Sequence, residues 1–208
     1  MLKDIFENIY KKPNAVWTRT EPPKELKEFV EGKQILLCKT IDVACGEGIY
    51  SIYLASKGFD VLGIDISEKA IEYAKQNASK QNVDARFKVL DIQKLSDLND
   101  KFDFVFEWGL MHHLPREVLP EYIKNVSNLL NSNGKYLTMH FNLQGSDYGT
   151  TGQRFREVPD GTRIYYSTLE EMKELFEKHF KVVESKMIEV PGRSGPNHTA
   201  NYFILEKL

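Results

Sequence analysis

The apolar positions of this chain switch repeatedly between a two-residue and a 3.6-residue period. Short apolar runs at Thr40–Val43, Val61–Asp65, Ala85–Leu90, Phe102–Phe106, Lys135–Phe141, Val182–Val190 and Ala200–Leu205 predict seven strands. Helical patterns lie between most of them. One runs from Ile49 to Gly58. A second runs from a cap at Ser67 through Ala78, with Ala70, Ile71, Tyr73, Ala74 and Ala78 on its buried side. Others cover Arg116–Leu130 and the stretch from Ser167-Thr168 to His179. Upstream, Leu2–Lys12 reads as a short amphipathic helix stopped by Pro13. Pro22-Pro23 then opens a helix that runs to Val30 and ends at Gly32. Asn142–Tyr166 shows neither period and is rich in Gly, Thr and Ser, which predicts a long loop.

Alternating strands and helices imply right-handed crossovers and a mostly parallel sheet with helices on both faces, a three-layer α/β sandwich. Only Pro191–His198 separates the last two strands, so strand seven is expected to run antiparallel. In such sheets a ligand sits beyond the carboxyl ends of the strands, beside strand one. The chain is read as a single domain over 1–208, with residues 1–36 as an N-terminal helical cap.

Composition narrows the class. The 208 residues are 41% hydrophobic, with 28 basic and 30 acidic side chains and a net charge of −2, so no basic excess advertises a nucleic-acid partner. Cys38 and Cys45 make no disulfide framework, which points to a reducing, cytoplasmic setting. No signal peptide and no membrane span of about 20 apolar residues is expected. The five His are too scattered for a zinc site, so no metal is expected.

The chemistry gathers at the carboxyl ends of the strands. Strand one ends in Asp42-Val43-Ala44-Cys45-Gly46-Glu47-Gly48, and a helix starts at Ile49. Gly46 and Gly48 let the backbone approach a ligand, and the free N–H groups of the helix start favour polar atoms there. Strand two ends at Asp65, strand three at Asp91 and strand four at Glu107. Asp65 follows Gly48 by seventeen residues, where a doubly wound fold places an acid on ribose hydroxyls. The third glycine of a dinucleotide turn is replaced by Ser51, and Asp42 would repel a pyrophosphate; an amino group or a sulfonium tolerates such an acid.

These motifs, in this order, resemble those of class I S-adenosylmethionine-dependent methyltransferases. The quoted turn resembles their first motif, Gly63-Ile64-Asp65-Ile66-Ser67 their second, and Val89-Leu90-Asp91-Ile92 their third. Phe102–Glu107 with Leu110–Pro115 resembles the fourth, and Leu129–Lys135 the turn before strand five. More loosely, the chain is similar to the small thiopurine- and tellurite-type methyltransferases. The resemblance implies a Rossmann-like fold and S-adenosyl-L-methionine as cofactor. It implies that Ala44, Gly46, Glu47 and Gly48 hold the methionine part, Asp42 lying close by. Asp65 would bind the ribose, Ile66 and Ile92 would pack on the adenine, Asp91 would meet its amino group, and Glu107 and Trp108 would wall the sulfonium. Trp17 either covers the cofactor or belongs to the core.

Transfer from a sulfonium needs alignment of a nucleophile and exclusion of water. A base is needed only for a nucleophile that arrives protonated, and His112, His113 and His140 are the candidates. The pair His112-His113 serves equally well as a pocket floor. The 142–166 loop is the candidate substrate lid, with His140, Arg154 and Tyr166 as substrate contacts; Arg154, Arg156 and Arg163 suit a carboxylate or phosphate. The reading is methyl transfer to an S, O or N atom of a small molecule, by a monomer or homodimer. An RNA or protein methyltransferase, a non-catalytic S-adenosylmethionine-binding module and an NAD-type oxidoreductase are the alternatives.

Overall fold

The predicted strand–helix alternation is present in the computed structural model, which describes residues 2–11, 13, 15, 17–144, 154–192 and 197–208. These residues group into two compact units, Met1–Ile92 and Gln93–Leu208.

The first unit contains α1 (Leu2–Ile9), α2 (Lys24–Glu31), β1 (Lys39–Val43), α3 (Ile49–Ser56), β2 (Asp60–Asp65), α4 (Glu68–Gln81) and β3 (Arg86–Val89). Its strands pair in parallel in the order β3-β2-β1, with Val43 opposite Ile64 and Asp65 opposite Val89. Ile41, Val43 and Ile64 are wholly buried, as expected of parallel strands covered on both faces. Burial of each such side chain is worth about 1.5–3 kcal/mol. α4 starts where Ser67 Oγ accepts the Ala70 N–H at 3.1 Å, and it buries Ala70, Ile71, Ala74 and Ala78 along one stripe. It ends at Asn82, which takes the left-handed conformation at φ 52°.

The second unit contains β4 (Phe102–Trp108), α5 (Leu119–Leu129), β5 (Leu130–Phe141), β6 (Phe155–Glu157), β7 (Arg163–Tyr165), α6 (Leu169–Phe176), β8 (Phe180–Val190) and β9 (His198–Lys207). The main strands run in the order β4-β5-β9-β8. β4 and β5 are parallel, and β9 is antiparallel to both β5 and β8, as expected of the last strand. α6 opens with a capping box: Thr168 Oγ1 accepts from Glu171 N–H and the Glu171 carboxylate accepts from Thr168 N–H.

Two expectations need correction here. Strand five starts at Leu130, not Lys135. The Asn133-Gly134 turn lies inside it as an irregularity, where the register on β4 jumps from Phe102↔Leu130 to Phe104↔Lys135 and Asn133 has φ 61°. The 142–166 segment is not all loop, because β6 and β7 form an antiparallel hairpin. Its turn is Val158-Pro159-Asp160-Gly161-Thr162: Asp160 Oδ1 accepts from the Thr162 N–H at 2.8 Å and hydroxyl at 2.6 Å, and Gly161 has φ 89°. Residues 145–153 of that segment lie outside the described residues. Among the described residues no helix is long and apolar enough to cross a membrane.

Candidate active site

β1 delivers the chain into a turn with three left-handed residues, Ala44 (φ 59°), Gly46 (54°) and Gly48 (80°). Cys45 N–H bonds the Ile64 carbonyl at 2.9 Å, which ties the turn to β2. A Cβ on Gly48 would lie 2.9 Å from both Ala74 Cβ and the Phe87 ring, so only glycine lets α4 and β3 close on the turn. Asp65 then clamps this geometry. Its Oδ2 accepts the Gly46 N–H and its Oδ1 accepts the Ser67 N–H, both at 2.9 Å. Burial pushes its pKa up from 3.8 to about 6, against the pull of those N–H groups. The acid expected on the ribose thus also holds the turn on which a cofactor would lie.

Asp42 is 1% exposed, and its Oδ2 accepts from Ser51 Oγ at 2.6 Å. The replacement of the third glycine has a physical use. The Ser51 hydroxyl bonds Asp42 and sits over Gly63, where an added Cβ would lie 2.7 Å from it. Leu90 N–H bonds the Asp65 carbonyl at 2.9 Å, which sets half-buried Asp91 and Ile92 just beyond the end of β2. Ile66 is half-buried between Asp65 and Ser67.

The N-terminal segment packs on the same turn. Trp17 Nε1 donates to the Tyr10 hydroxyl at 2.7 Å, and its ring meets Phe6 and Tyr10 edge-on. Tyr10 is buried with Ala15 and Ala70, and a Cβ on Gly46 would lie 2.7 Å from its hydroxyl. Burial and the nearby Asp65 push the Tyr10 pKa well above 10. Ala15 N–H donates to Glu47 Oε1 at 3.3 Å, and Ser67 Oγ donates to Glu7 Oε2 at 2.6 Å. Trp17 therefore reaches the turn through Tyr10. Sequence reasoning missed Tyr10 and Glu7, because the helical pattern of α1 marks an apolar face without saying what that face covers.

In the second unit, Glu107 is wholly buried at the end of β4. Its carboxylate accepts from Leu110 N–H, Met111 N–H, Thr138 Oγ1 and the Tyr136 hydroxyl. Burial raises its pKa from 4.5 to about 7 despite these four donors. It organises the turn after β4. Trp108 stacks on Phe106 and meets Tyr202 edge-on. His112 and His113 follow in a single 3-10 turn with rings 4.7 Å apart, and His112 stacks on Phe141 at 4.1 Å. His140 lies on β5, 2% exposed.

Burial lowers the pKa of all three imidazoles: His112 well below 6.5, His113 to about 4 and His140 to about 3. They are neutral at pH 7 and poor proton acceptors. His112, His140, Arg154 and Tyr166 line one small cavity, together with Tyr165. The arginine expectation changes. Arg154 and Arg116 each bond the Glu171 carboxylate, at 2.8 and 2.9 Å, and Arg163 bonds Glu157 at 2.7 Å. Burial of Glu171 is outweighed by the Thr168 N–H and the two arginines, which hold its carboxyl down at about 2.

Residues 41–134 match the family described as a methyltransferase domain. The chain is 32% identical over 140 residues to a ubiquinone biosynthesis O-methyltransferase of Coxiella burnetii, covering 65% of this chain and 57% of that protein. It is 31% identical over 102 residues to a probable S-adenosyl-L-methionine-dependent methyltransferase TehB of Haemophilus influenzae, covering 49% of this chain and 35% of that protein. The chain thus spans little more than half the length of the first of these relatives. In fold it is similar to the Burkholderia thailandensis 1,6-didemethyltoxoflavin-N1-methyltransferase, whose structure holds S-adenosylhomocysteine. The TM-score is 0.78 at 21% identity, over 99% of this chain and 87% of that one. Residues 41–134 thus match a methyltransferase domain, and the chain, with its Rossmann-like fold and the glycine turn clamped by Asp65, resembles class I S-adenosylmethionine-dependent methyltransferases such as TehB.

Proposed function

We propose that this protein transfers the methyl group of S-adenosylmethionine to a nucleophilic atom of a small molecule. The observation that carries the reading is the Ala44–Gly48 turn held by the buried Asp65 carboxylate. The residues fit such a cofactor. Gly48 packs without a side chain, and Asp65 retains lone pairs beyond those on Gly46 and Ser67, which suit ribose hydroxyls. Ile66, Asp91 and Ile92 would meet the adenine, and Gly46 and Glu47 the methionine part. Tyr10 would be the cover that Trp17 positions by its hydrogen bond. When bound, the cofactor supplies an electrophilic methyl group.

The chain has to orient the acceptor and keep water out. His112, His113 and His140 are held neutral, so strong base catalysis is not among their roles. The acceptor brings a nucleophile that is ready at neutral pH: a thiolate, an acidic hydroxyl or a ring nitrogen. A small acceptor also agrees with the names of the relatives and with a cavity of modest size. The protein would act as one domain, as a monomer or homodimer, and the absence of a disulfide between Cys38 and Cys45 suits a reducing, cytoplasmic setting.

Calorimetric titration tests the cofactor first. S-adenosylmethionine and S-adenosylhomocysteine should both bind; binding of NAD in their place would overturn the proposal. A methyl-transfer screen over thiols, phenols, amines and heteroaromatic nitrogens follows. Turnover of RNA or protein instead would remove the small-molecule part, and binding without any turnover would make the chain a cofactor-binding module.

A further inference from the structure

Three parts of the second unit that lie far apart in sequence bring charge to one place. Arg116 opens the 3-10 turn before α5, Arg154 stands just before β6, and Glu171 lies in the first turn of α6. Tyr166 N–H donates to the Arg154 carbonyl at 2.9 Å, which fixes the backbone of that arginine beside the end of β7. Glu171 Oε1 accepts from Arg116 at 2.9 Å. Its Oε2 accepts from Arg154 at 2.8 Å and from the Thr168 N–H at 2.9 Å. The carboxylate is therefore tied to the helix cap and holds both guanidiniums. Two cations on one anion leave one positive charge in excess. Stability does not account for this convergence, because ion pairs as exposed as these add little to it.

The arginines also have donors left over. A guanidinium carries five N–H groups, and each of these two uses one on Glu171. The Arg116 and Arg154 side chains are 57% and 51% exposed, so their other N–H groups are within reach of a ligand. Both arginines line a cavity of about 50 Å³, as does Ser167, which carries a hydroxyl donor. One water fills about 10–15 Å³ on this measure, so the space takes about three or four heavy atoms. That is the size of a carboxylate group, whereas a phosphate group is larger. A planar carboxylate also matches the guanidinium fork. A neutral acceptor would displace water from the two cations and return no charge. His112 and His140 in the same walls are neutral, so the arginines alone set the sign of the site.

Resting on the methyl-transfer reading, we propose that the acceptor molecule carries a carboxylate, and that Arg116 and Arg154 bind this carboxylate at the cavity.

The test uses the full chain without cofactor and three probes: benzoate, benzamide, which has the same shape without the charge, and inorganic phosphate. Arginine Nε–H spectra report contact, and titration gives affinity. Benzoate should shift the Arg116 and Arg154 signals and bind about tenfold more tightly than benzamide, the effect of a charge-assisted pair. Its binding should weaken as salt is raised. Arg116→Met and Arg154→Met should each bring benzoate close to the benzamide level and leave benzamide unchanged; both side chains are half-exposed, and circular dichroism checks that the variants fold. Benzamide binding as tightly as benzoate overturns the proposal. So does benzoate affinity that survives both substitutions, or no shift with benzoate at all. Phosphate displacing benzoate at equal concentration overturns the assignment to a carboxylate. An S-adenosylmethionine titration on the same sample separates these failures from a failure of the methyl-transfer reading: cofactor binding without a benzoate response sinks this proposal alone.

Discussion

Asp65→Asn separates the two duties of the acid at the glycine turn. In the native protein the carboxylate accepts from Gly46 N–H and Ser67 N–H. An amide of the same shape has one oxygen, so its NH2 must face one of those donors. Leaving a buried N–H unbonded costs about 1–3 kcal/mol. Against that loss stands the titration of the native acid. Its folded pKa of about 6 lies above the ordinary 3.8, so its contribution to stability is full below 3.8 and is lost as pH rises through 6. The whole effect is about 3 kcal/mol, with about 1.4 kcal/mol of it lost between pH 5 and pH 8. The asparagine variant lacks that loss. Urea denaturation at the two pH values should therefore show the variant less stable at pH 5, with the gap narrowed by about 1.4 kcal/mol at pH 8. A gap that stays constant or widens with pH refutes the placement of the proton on buried Asp65. The same acid predicts that S-adenosylmethionine affinity falls below pH 6, by up to about tenfold per pH unit, and that the variant's affinity does not follow that slope.

Three other outcomes are expected. Glu107→Gln removes a group whose pKa is raised from 4.5 to about 7, so the native protein should lose stability between pH 5 and 8 in thermal melts while the variant's profile is flatter. Gly48→Ala forces a left-handed residue, at about 1–2 kcal/mol, and brings its Cβ within 2.9 Å of Ala74 and Phe87. It should lower the denaturation midpoint and abolish cofactor binding in calorimetry. Ala44→Gly relieves the φ of 59° at the start of the turn. It should raise stability in urea denaturation by up to about 1 kcal/mol, since the gain exceeds the extra chain entropy of glycine; destabilisation would show that the Ala44 methyl packs usefully.

Much of the frame was legible because its signals are local. The apolar runs, the Ser67 cap, the Gly46 and Gly48 turn and the acids at the strand ends sit where the sequence predicted. The Val158-Pro159-Asp160-Gly161-Thr162 hairpin turn was also readable, since Pro-Asp-Gly is turn chemistry: Gly161 takes the positive φ and Asp160 makes the Asx bonds. The composition of the surrounding segment hid it. Asn133-Gly134 misled in the opposite way: its turn chemistry is real, but the strand continues through it on either side.

What the sequence determined by itself is the order of strands and helices, the turn chemistry and the class of ligand they imply, because each depends on period, spacing and residue type. Tertiary structure decided the protonation and commitment of the polar groups. Burial made three histidines neutral and two acids weak, and Glu171 took up Arg154 and Arg116. Tyr10 came to rest against Gly46, and Asn142, Asn201 and His140 joined in one relay across 61 positions of sequence. Such facts depend on which side chains meet after folding and how much water they lose, and no local pattern encodes either.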